Sequence, residues 1–517
     1  MKQLSSISFW VSCLLLLAGM TACNDDITGS GEDLKGPDIE VSPVMVSFND
    51  TQTATVSVSY PGPWKAELSE GCTWCTIDKQ SGEGDGEIVV TLNPNHSSEL
   101  LTAKLTIRAV DSPILLKTVQ LMCSGDNFYV DPLLVVYGLG DDMTQEVKVN
   151  CKGKWTAKLS DDCTWCTLDK TSGTGEETLY ITSHMSLNPA NVADAKLTIT
   201  PESNPNQAVT IDVTYQEKYL HGSCITLNKA TKGNGINLIV TGDAFTEADM
   251  GKGGRWEDVM NRSLEAIFRF EPYKSFREYF NVYAVTAVSD TRQFSNNTPS
   301  DTFYRIYYVN GGNPSMSMSN SDFCIEHTPA KDVDLADLSI LVVLNDDKYA
   351  GMASVGSPSV GLAAVWETGQ NPIIKPENMF ATIIAHEFLG HAFGHLADEY
   401  YTANEAITEE QIARYNTAKQ ASGHWQNVEF TDDPDKFFNI YWKQMLEMKY
   451  PGVDVIQGGM YCGIGVWRSS DNAMMNDQVL SPYFSPVQRE IIYRRIHELA
   501  GIPYSFDNFV EWDKRNL

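Results

Sequence analysis

Apolar and polar residues alternate with a period of two through the first part of the chain, in runs such as ATVSVSY (54–60), EIVVTLN (87–93) and KLTIRAV (104–110). Successive strand residues face opposite sides of a sheet, so the alternation predicts half-buried antiparallel strands, with turns at the Gly, Asn, Pro and Asp residues between them. After Gln216-Glu217 the pattern changes. INLIVTG (236–242), EYFNVYAVTAV (278–288) and LSILVVLN (338–345) are almost continuously apolar, as expected of strands covered on both faces. Residues 254–269 instead gather their apolar positions on one helical face. Helices interleaved with buried strands predict an α/β sheet with helices packed against it. A helix over 376–395 is expected to lie across that sheet on the apolar lead-in MFATIIA (379–385), and a polar, helical chain is expected beyond 400.

The strand-rich part is duplicated. Residues 63–87, PWKAELSEGCTWCTIDKQSGEGDGE, recur at 154–178 as KWTAKLSDDCTWCTLDKTSGTGEET, and AKLTI recurs at 103–107 and 195–199, a period of about 91 residues. Two immunoglobulin-like β-sandwiches, 38–124 and 125–217, are therefore expected ahead of an α/β domain over 218–517. Trp64, Trp74, Trp155 and Trp165 stand in register between the copies. They are core residues or platforms for sugar rings, and the core is the commoner place for Trp in such a fold. Each copy also holds one CxxC pair, Cys72/Cys75 and Cys163/Cys166. A four-Cys zinc site shared by the copies, a disulfide, and free buried thiols are the three readings.

Charge narrows the partners. A formal net charge of −29 over 517 residues argues against nucleic acid and against electrostatic docking on anionic lipid. Residues 1–22 read as a lipoprotein signal peptide: Lys2 is basic, Phe9 to Leu17 is apolar, and Met20-Thr21-Ala22-Cys23 is lipobox-like. The apolar run is shorter than the ~20 residues that cross a bilayer, so the expected anchor is a lipid on Cys23, followed by a polar tether over 23–37. Asn24-Asp25-Asp26 resembles the acidic tag of surface lipoproteins. The expected location is the cell envelope, as an outer-membrane lipoprotein facing the cell exterior.

The chemistry is concentrated in HEFLGHAFGHLADEY (386–400), which holds three of the nine histidines. Zinc peptidases carry HExxH on a helix, where histidines at i and i+4 share a face and the Glu is the base. Here the spacing is HExxxH, and on a regular helix His386 and His391 would diverge by about 140°. A π-type bulge absorbs one residue, with Gly390 as the residue that yields there. On this reading His386 and His391 are metal ligands and Glu387 is the base. A straight helix would instead group Glu387, His391 and His395. Gly394 stands where zinc peptidases of the metzincin type turn the chain so that a later side chain returns to the metal. Asp398 is taken as that third ligand, with Glu399 and His395 as alternatives. Asp243 is read as a strand-end turn in preference to a cation site, and His424 and His497 as structural or solvent-facing.

This stretch resembles the signature of the IgA-peptidase family of bacterial zinc metallopeptidases. INLIVTGDAFT (236–246), FEPYKSFREYFNVYAV (270–285) and GGMYCGIGVWRSSDNAMMN (458–476) are similar to further blocks of that family, and the Trp, CTWCT and Ser-Gly order of the repeats resembles the BACON domain. The resemblance implies a zincin-like metallopeptidase domain holding Zn2+. Its expected activity is hydrolysis of peptide bonds in an extracellular protein, a glycoprotein or an immunoglobulin, through zinc-activated water with Glu387 as base. Tyr461 and Arg468, together with Tyr400, are the candidates to hold the oxyanion, and Met474-Met475 form either a floor beneath the metal or plain core packing. The competing reading is an inactive surface protein that binds glycans through its N-terminal domains.

Overall fold

The computed structural model describes residues 38–516 apart from 49–52, 93–99, 113, 124–127, 152, 185–191, 193, 204, 206–207, 368–375 and 432–439. The signal peptide, Cys23 and the tether lie outside the described residues. The described chain divides into two compact units, one ending at Ser223 and the other beginning at Cys224. The boundary expected at 217/218 falls inside a continuous strand, Val209–Tyr219.

In the first unit each copy of the repeat forms a four-stranded and a five-stranded sheet around its own core. The strand orders are the same in both copies. In the first copy Glu40–Ser42, Thr53–Ser59, Gly86–Leu92 and Cys75–Ile77 make one sheet. Met45–Ser47, Leu116–Cys123, Leu101–Ala109, Pro63–Leu68 and Ser81–Glu83 make the other. Pairing is antiparallel except where Met45–Ser47 runs parallel to Leu116–Cys123, and Leu134–Leu139 to Val209–Tyr219. The repeated Trp and Ser-Gly elements explain one another. A Cβ on Gly82 would lie 2.2 Å from Trp64, and one on Gly173 2.2 Å from Trp155, so only glycine lets the neighbouring strand lie on the indole. Each indole N–H is satisfied by a carbonyl, Gly84 at 2.9 Å and Gly175 at 3.3 Å. All four repeated tryptophans are buried, none more than 8 % exposed, which assigns them to cores and not to sugar platforms. The described cysteines are free thiols, Cys72 and Cys75 facing each other at 3.4 Å, so neither the shared zinc site nor a disulfide is present among them.

The second unit is built on a six-stranded mixed sheet. Its strands are β1 (Cys224–Asn228), β2 (Ile236–Asp243), β3 (Phe280–Val285), β4 (Ser339–Leu344), β5 (Gly351–Ser354) and β6 (Ser359–Ala364), in the order β1-β3-β2-β4-β6-β5. The inner four are parallel, and the two edges, β1 and β5, are antiparallel to their neighbours. Every residue of β4 is buried, as its unbroken apolar sequence requires. Helix α1 (Arg255–Ile267) and a long helix beginning with α2 (Pro376–Ile383) pack on the sheet. A separate core joins Ile239, Ile340 and Val342 to Tyr304, Ile306 and Ile325. Asp243, fully buried at the end of β2, accepts from Thr302 Oγ1 at 2.7 Å, Ser289 Oγ at 3.2 Å and the Tyr304 N–H at 3.1 Å. It anchors the 289–304 loop.

Beyond 400 the chain departs from the helical expectation. Strands β7 (Tyr401–Ala406), β8 (Val428–Phe430), β9 (Ile456–Gly459) and β10 (Tyr461–Arg468) form a second, small sheet. Helices α3 (Glu409–Ser422), α4 (Pro486–Ala500) and α5 (Phe506–Asn516) complete the unit.

Candidate metal centre

Residues Ile384–Phe393 continue α2 as a π-helix of 10 residues, longer than the single bulge the spacing called for. Its i→i+5 step brings residues five apart onto one side, so His386 and His391 face each other with ring centroids 4.9 Å apart. The apolar residues of this segment, Phe388 and Leu389 between the two histidines and Ala392 and Phe393 after them, are all buried and tie the widened turns to the core. Tyr273 donates to the Leu389 carbonyl at 2.7 Å, and the Gly394 N–H donates to the same carbonyl at 2.9 Å. Gly390 has a different use from the one expected. A Cβ there would meet Met475 Sδ at 2.4 Å, so glycine is needed for close approach.

The chain then reverses at His395, with φ +52, and not at Gly394. That turn returns Asp398 to the two imidazoles. His386 Nε2 and His391 Nε2 each stand 3.1 Å from Asp398 Oδ1, and the three donor atoms lie within 4.8 Å of one another. Both rings are oriented from behind. His386 Nδ1 is 2.9 Å from the Met474 carbonyl and His391 Nδ1 is 2.7 Å from the Leu396 carbonyl, which places the N–H on Nδ1 and leaves the Nε2 lone pairs pointing at one spot. Asp398 is held in turn by the Tyr461 hydroxyl, which donates to Oδ2 at 3.0 Å, and Tyr400 donates to Tyr461 at 2.9 Å.

The electrostatics show that the spot attracts positive charge. Burial disfavours a charged His391, yet Asp398 and Glu387 outweigh it and lift the imidazole to about 9. Asp398 is buried too, but His391 and His386 hold it well below the usual carboxylate range. Burial pushes the Glu387 carboxyl upward, against the pull of the two imidazoles. Two imidazole nitrogens and a carboxylate oxygen, converging with their outer atoms anchored, are a donor set that fits a divalent cation with a position left open. Beside it lies a cleft of about 300 Å³, lined by His386, Glu387, Tyr400, Tyr349, Gly351 and Asp477 among others.

Other expected residues sit elsewhere. His395 packs on His424 with ring centroids 4.1 Å apart, outside the metal cluster. Glu399 accepts from Asn427 Nδ2 at 3.0 Å, and burial pushes its carboxyl up to about 7. Arg468 does not line the cleft: its Nε donates to the Ser470 carbonyl, its Nη1 to the carbonyls of Gln457 and Gly458, and its Nη2 lies 3.7 Å from Asp471. Met474 contributes a carbonyl to His386, a role its side chain does not advertise. Asn427, which bonds the Ala397 N–H, the Ala397 carbonyl and Glu399, was not singled out in the sequence and has no motif to reveal it. Tyr349, just ahead of the short edge strand, and Gly351, the first residue of that strand, were missed as well, neither having a distinctive pattern.

Comparison with known proteins adds the following. Residues 225–456 match the family described as IgA Peptidase M64, and residues 38–124 match the Viral BACON domain. The first match includes the 386–400 cluster and ends before the 458–476 block. No curated protein matches the chain. Solved structures with some likeness include domains 5-6 of the S-layer protein SbsC, at 14% identity over 35% of this chain and 99% of that one, TM-score 0.15. Others are the tandem V-type regions of the chitin-binding protein VCBP3, at 8% over 35% and 99%, TM-score 0.21, and a Bacteroides ovatus GH5 xyloglucanase, at 15% over 42% and 46%, TM-score 0.15. Scores at this level carry no argument about fold or function.

Proposed function

As residues 225–456 match the IgA Peptidase M64 family and residues 38–124 the Viral BACON domain, we propose that this chain is a zinc metallopeptidase acting on an extracellular protein. The observation that carries the proposal is the convergence of His386 Nε2 and His391 Nε2 on Asp398 Oδ1, each at 3.1 Å, with Glu387 lining the adjoining cleft. The donor set suits zinc, which when bound polarises a carbonyl oxygen and acidifies water.

The protein groups divide the remaining work. Glu387, its carboxyl raised by burial, accepts the proton of the attacking water and delivers it to the leaving amine. Tyr461 fixes Asp398 so that the carboxylate keeps one face toward the imidazoles. Tyr400 lines the cleft, stacks near His386 at 6.4 Å and keeps its proton because burial raises the phenol, so its O–H, given to Tyr461 in the free site, turns to the oxyanion when substrate is bound. An extended substrate segment adds to the edge strand β5, whose first residue lines the same cleft. In this reading the substrate is a glycoprotein or immunoglobulin. The two N-terminal sandwiches, of immunoglobulin-like type, serve as spacers, and a lipid on Cys23 holds the protein at the outer surface. Among the described residues no helix is long and apolar enough to cross a membrane.

The test is metal analysis joined to a casein or peptide-library assay. Glu387→Ala is expected to keep its zinc and lose hydrolysis, whereas His386→Ala loses both; full activity in Glu387→Ala ends the proposal. Metabolic labelling with a fatty acid, lost in Cys23→Ala, tests the anchor. The glycan-binding alternative draws no support from the four repeated tryptophans, all of which are buried.

A further inference from the structure

We propose that two glycines on adjacent strands, Gly361 of β6 and Gly351 of β5, form a seat for the helix segment carrying the base, and that Gly351 is a positioning residue for the Glu387 carboxylate. The inference rests on Glu387 being the base. A Cβ on Gly361 would lie 2.8 Å from Phe388 Cα and 3.1 Å from Phe388 N, so β6 meets the helix backbone itself. One strand over, a Cβ on Gly351 would lie 2.6 Å from Glu387 Cγ and 3.0 Å from Glu387 Oε1. Consecutive helix residues are thus received by glycines on paired strands, the first seating the main chain and the second leaving space for the acid.

Neither glycine has a left-handed backbone, so space and not conformation explains their identity. The strand cannot retreat to make room. Gly351 is in register with Ala363, Ala353 with Gly361, and the Ala364 N–H donates to the Ala350 carbonyl at 3.0 Å. The helix is also held at Gly390, where a Cβ would meet Met475 Sδ at 2.4 Å. A methyl group at 351 therefore has one soft neighbour, the Glu387 side chain, besides Ile383 Cγ2 at 2.9 Å. Since Gly351 begins the edge strand on which the substrate is read to lie, the same contact sets the base relative to the bound peptide. Misplacement of a catalytic group by about 1 Å costs on the order of 10²-fold in rate.

The test is Gly351→Ala in the full-length chain loaded with zinc, assayed on a casein-derived peptide. Zinc content is expected to stay at the wild-type level, KM to change less than about twofold, and kcat to fall at least tenfold with its pH profile displaced. Gly356→Ala, where a Cβ meets only Pro358 O at 3.4 Å, is the control and keeps kcat. Wild-type kcat and pH profile in Gly351→Ala with zinc bound would overturn the proposal, and so would restoration of kcat by adding Ile383→Ala, since Ile383 would then be the neighbour that matters. Should Gly351→Ala fail to fold, its melting is compared in the Glu387→Ala background, where Cγ is gone: a smaller penalty there supports the contact, an equal penalty refutes it. Full activity in Glu387→Ala alone would instead remove the base assignment, a result separate from these.

Discussion

In the N-terminal unit buried and outward-facing residues alternate along the strands and the cores are apolar; in the C-terminal unit two histidines and four carboxylates lie in or beside one small region. The contrast is visible strand by strand, from Thr53–Ser59, where exposed Ser and Thr flank buried Val, to β4, which is buried throughout. A repeat unit that keeps its polar groups in water needs only shape, here Trp set on Gly. A site that takes ligands out of water has to partner each of them, and His386, His391, Asp398 and Glu399 all have a hydrogen-bonded neighbour. One unit is thus specified by packing and the other by polar connection, and each should fail in its own way.

Glu387→Ala makes the sharpest cut, removing about 10²–10⁴-fold of hydrolysis while leaving zinc content and the melting of both units near wild type. Trp155→Ala is the converse: it costs the N-terminal unit about 3–5 kcal/mol in denaturant melts and leaves peptide hydrolysis unchanged. Were hydrolysis to fall with it, the two units would not be independent. Tyr461→Phe removes the donor to Asp398 and should weaken zinc binding by about 10–100-fold, read by competition with a chelator.

The smallest effect concerns acid. Burial holds His395 down at about 2 and His424 at about 4, with the charge of Arg495 adding to both. Unfolded histidines titrate near 6.5, so below that pH the unfolded chain binds more protons than the folded one. The stabilisation is complete above pH 6.5 and is lost as the pH falls toward 4. His424→Gln should therefore flatten the decline in melting temperature between pH 6.5 and 4.5, and an unchanged slope would show that His424 is not part of it.

Much of this was legible in the sequence, for reasons specific to each part. The three clustered donors lie within thirteen residues, so spacing alone showed that a regular helix would not serve His386 and His391 together. The repeat exposed the cores of the two sheet-rich copies because Trp and Ser-Gly recur in step. What escaped was carried by groups without a side-chain signature. The Met474 carbonyl orients His386, a backbone act that no residue type announces. Arg468 was misplaced because an Arg in a sequence block says nothing of where its donors go, and its Nε and Nη1 turn to three carbonyls of the local chain. The strands after 400 are short, β8 only three residues, too brief for periodicity to separate them from polar helix or loop.

The thioether of Met475, wholly enclosed and pressed on Gly390, has a bearing on how this protein ages. An oxygen atom added to that sulfur would find no room against the π-turn, so the sulfoxide belongs to an opened chain and not to the native one. Peroxide would then modify this centre at the pace at which the fold opens, and any ligand that slows that opening would shield the sulfur.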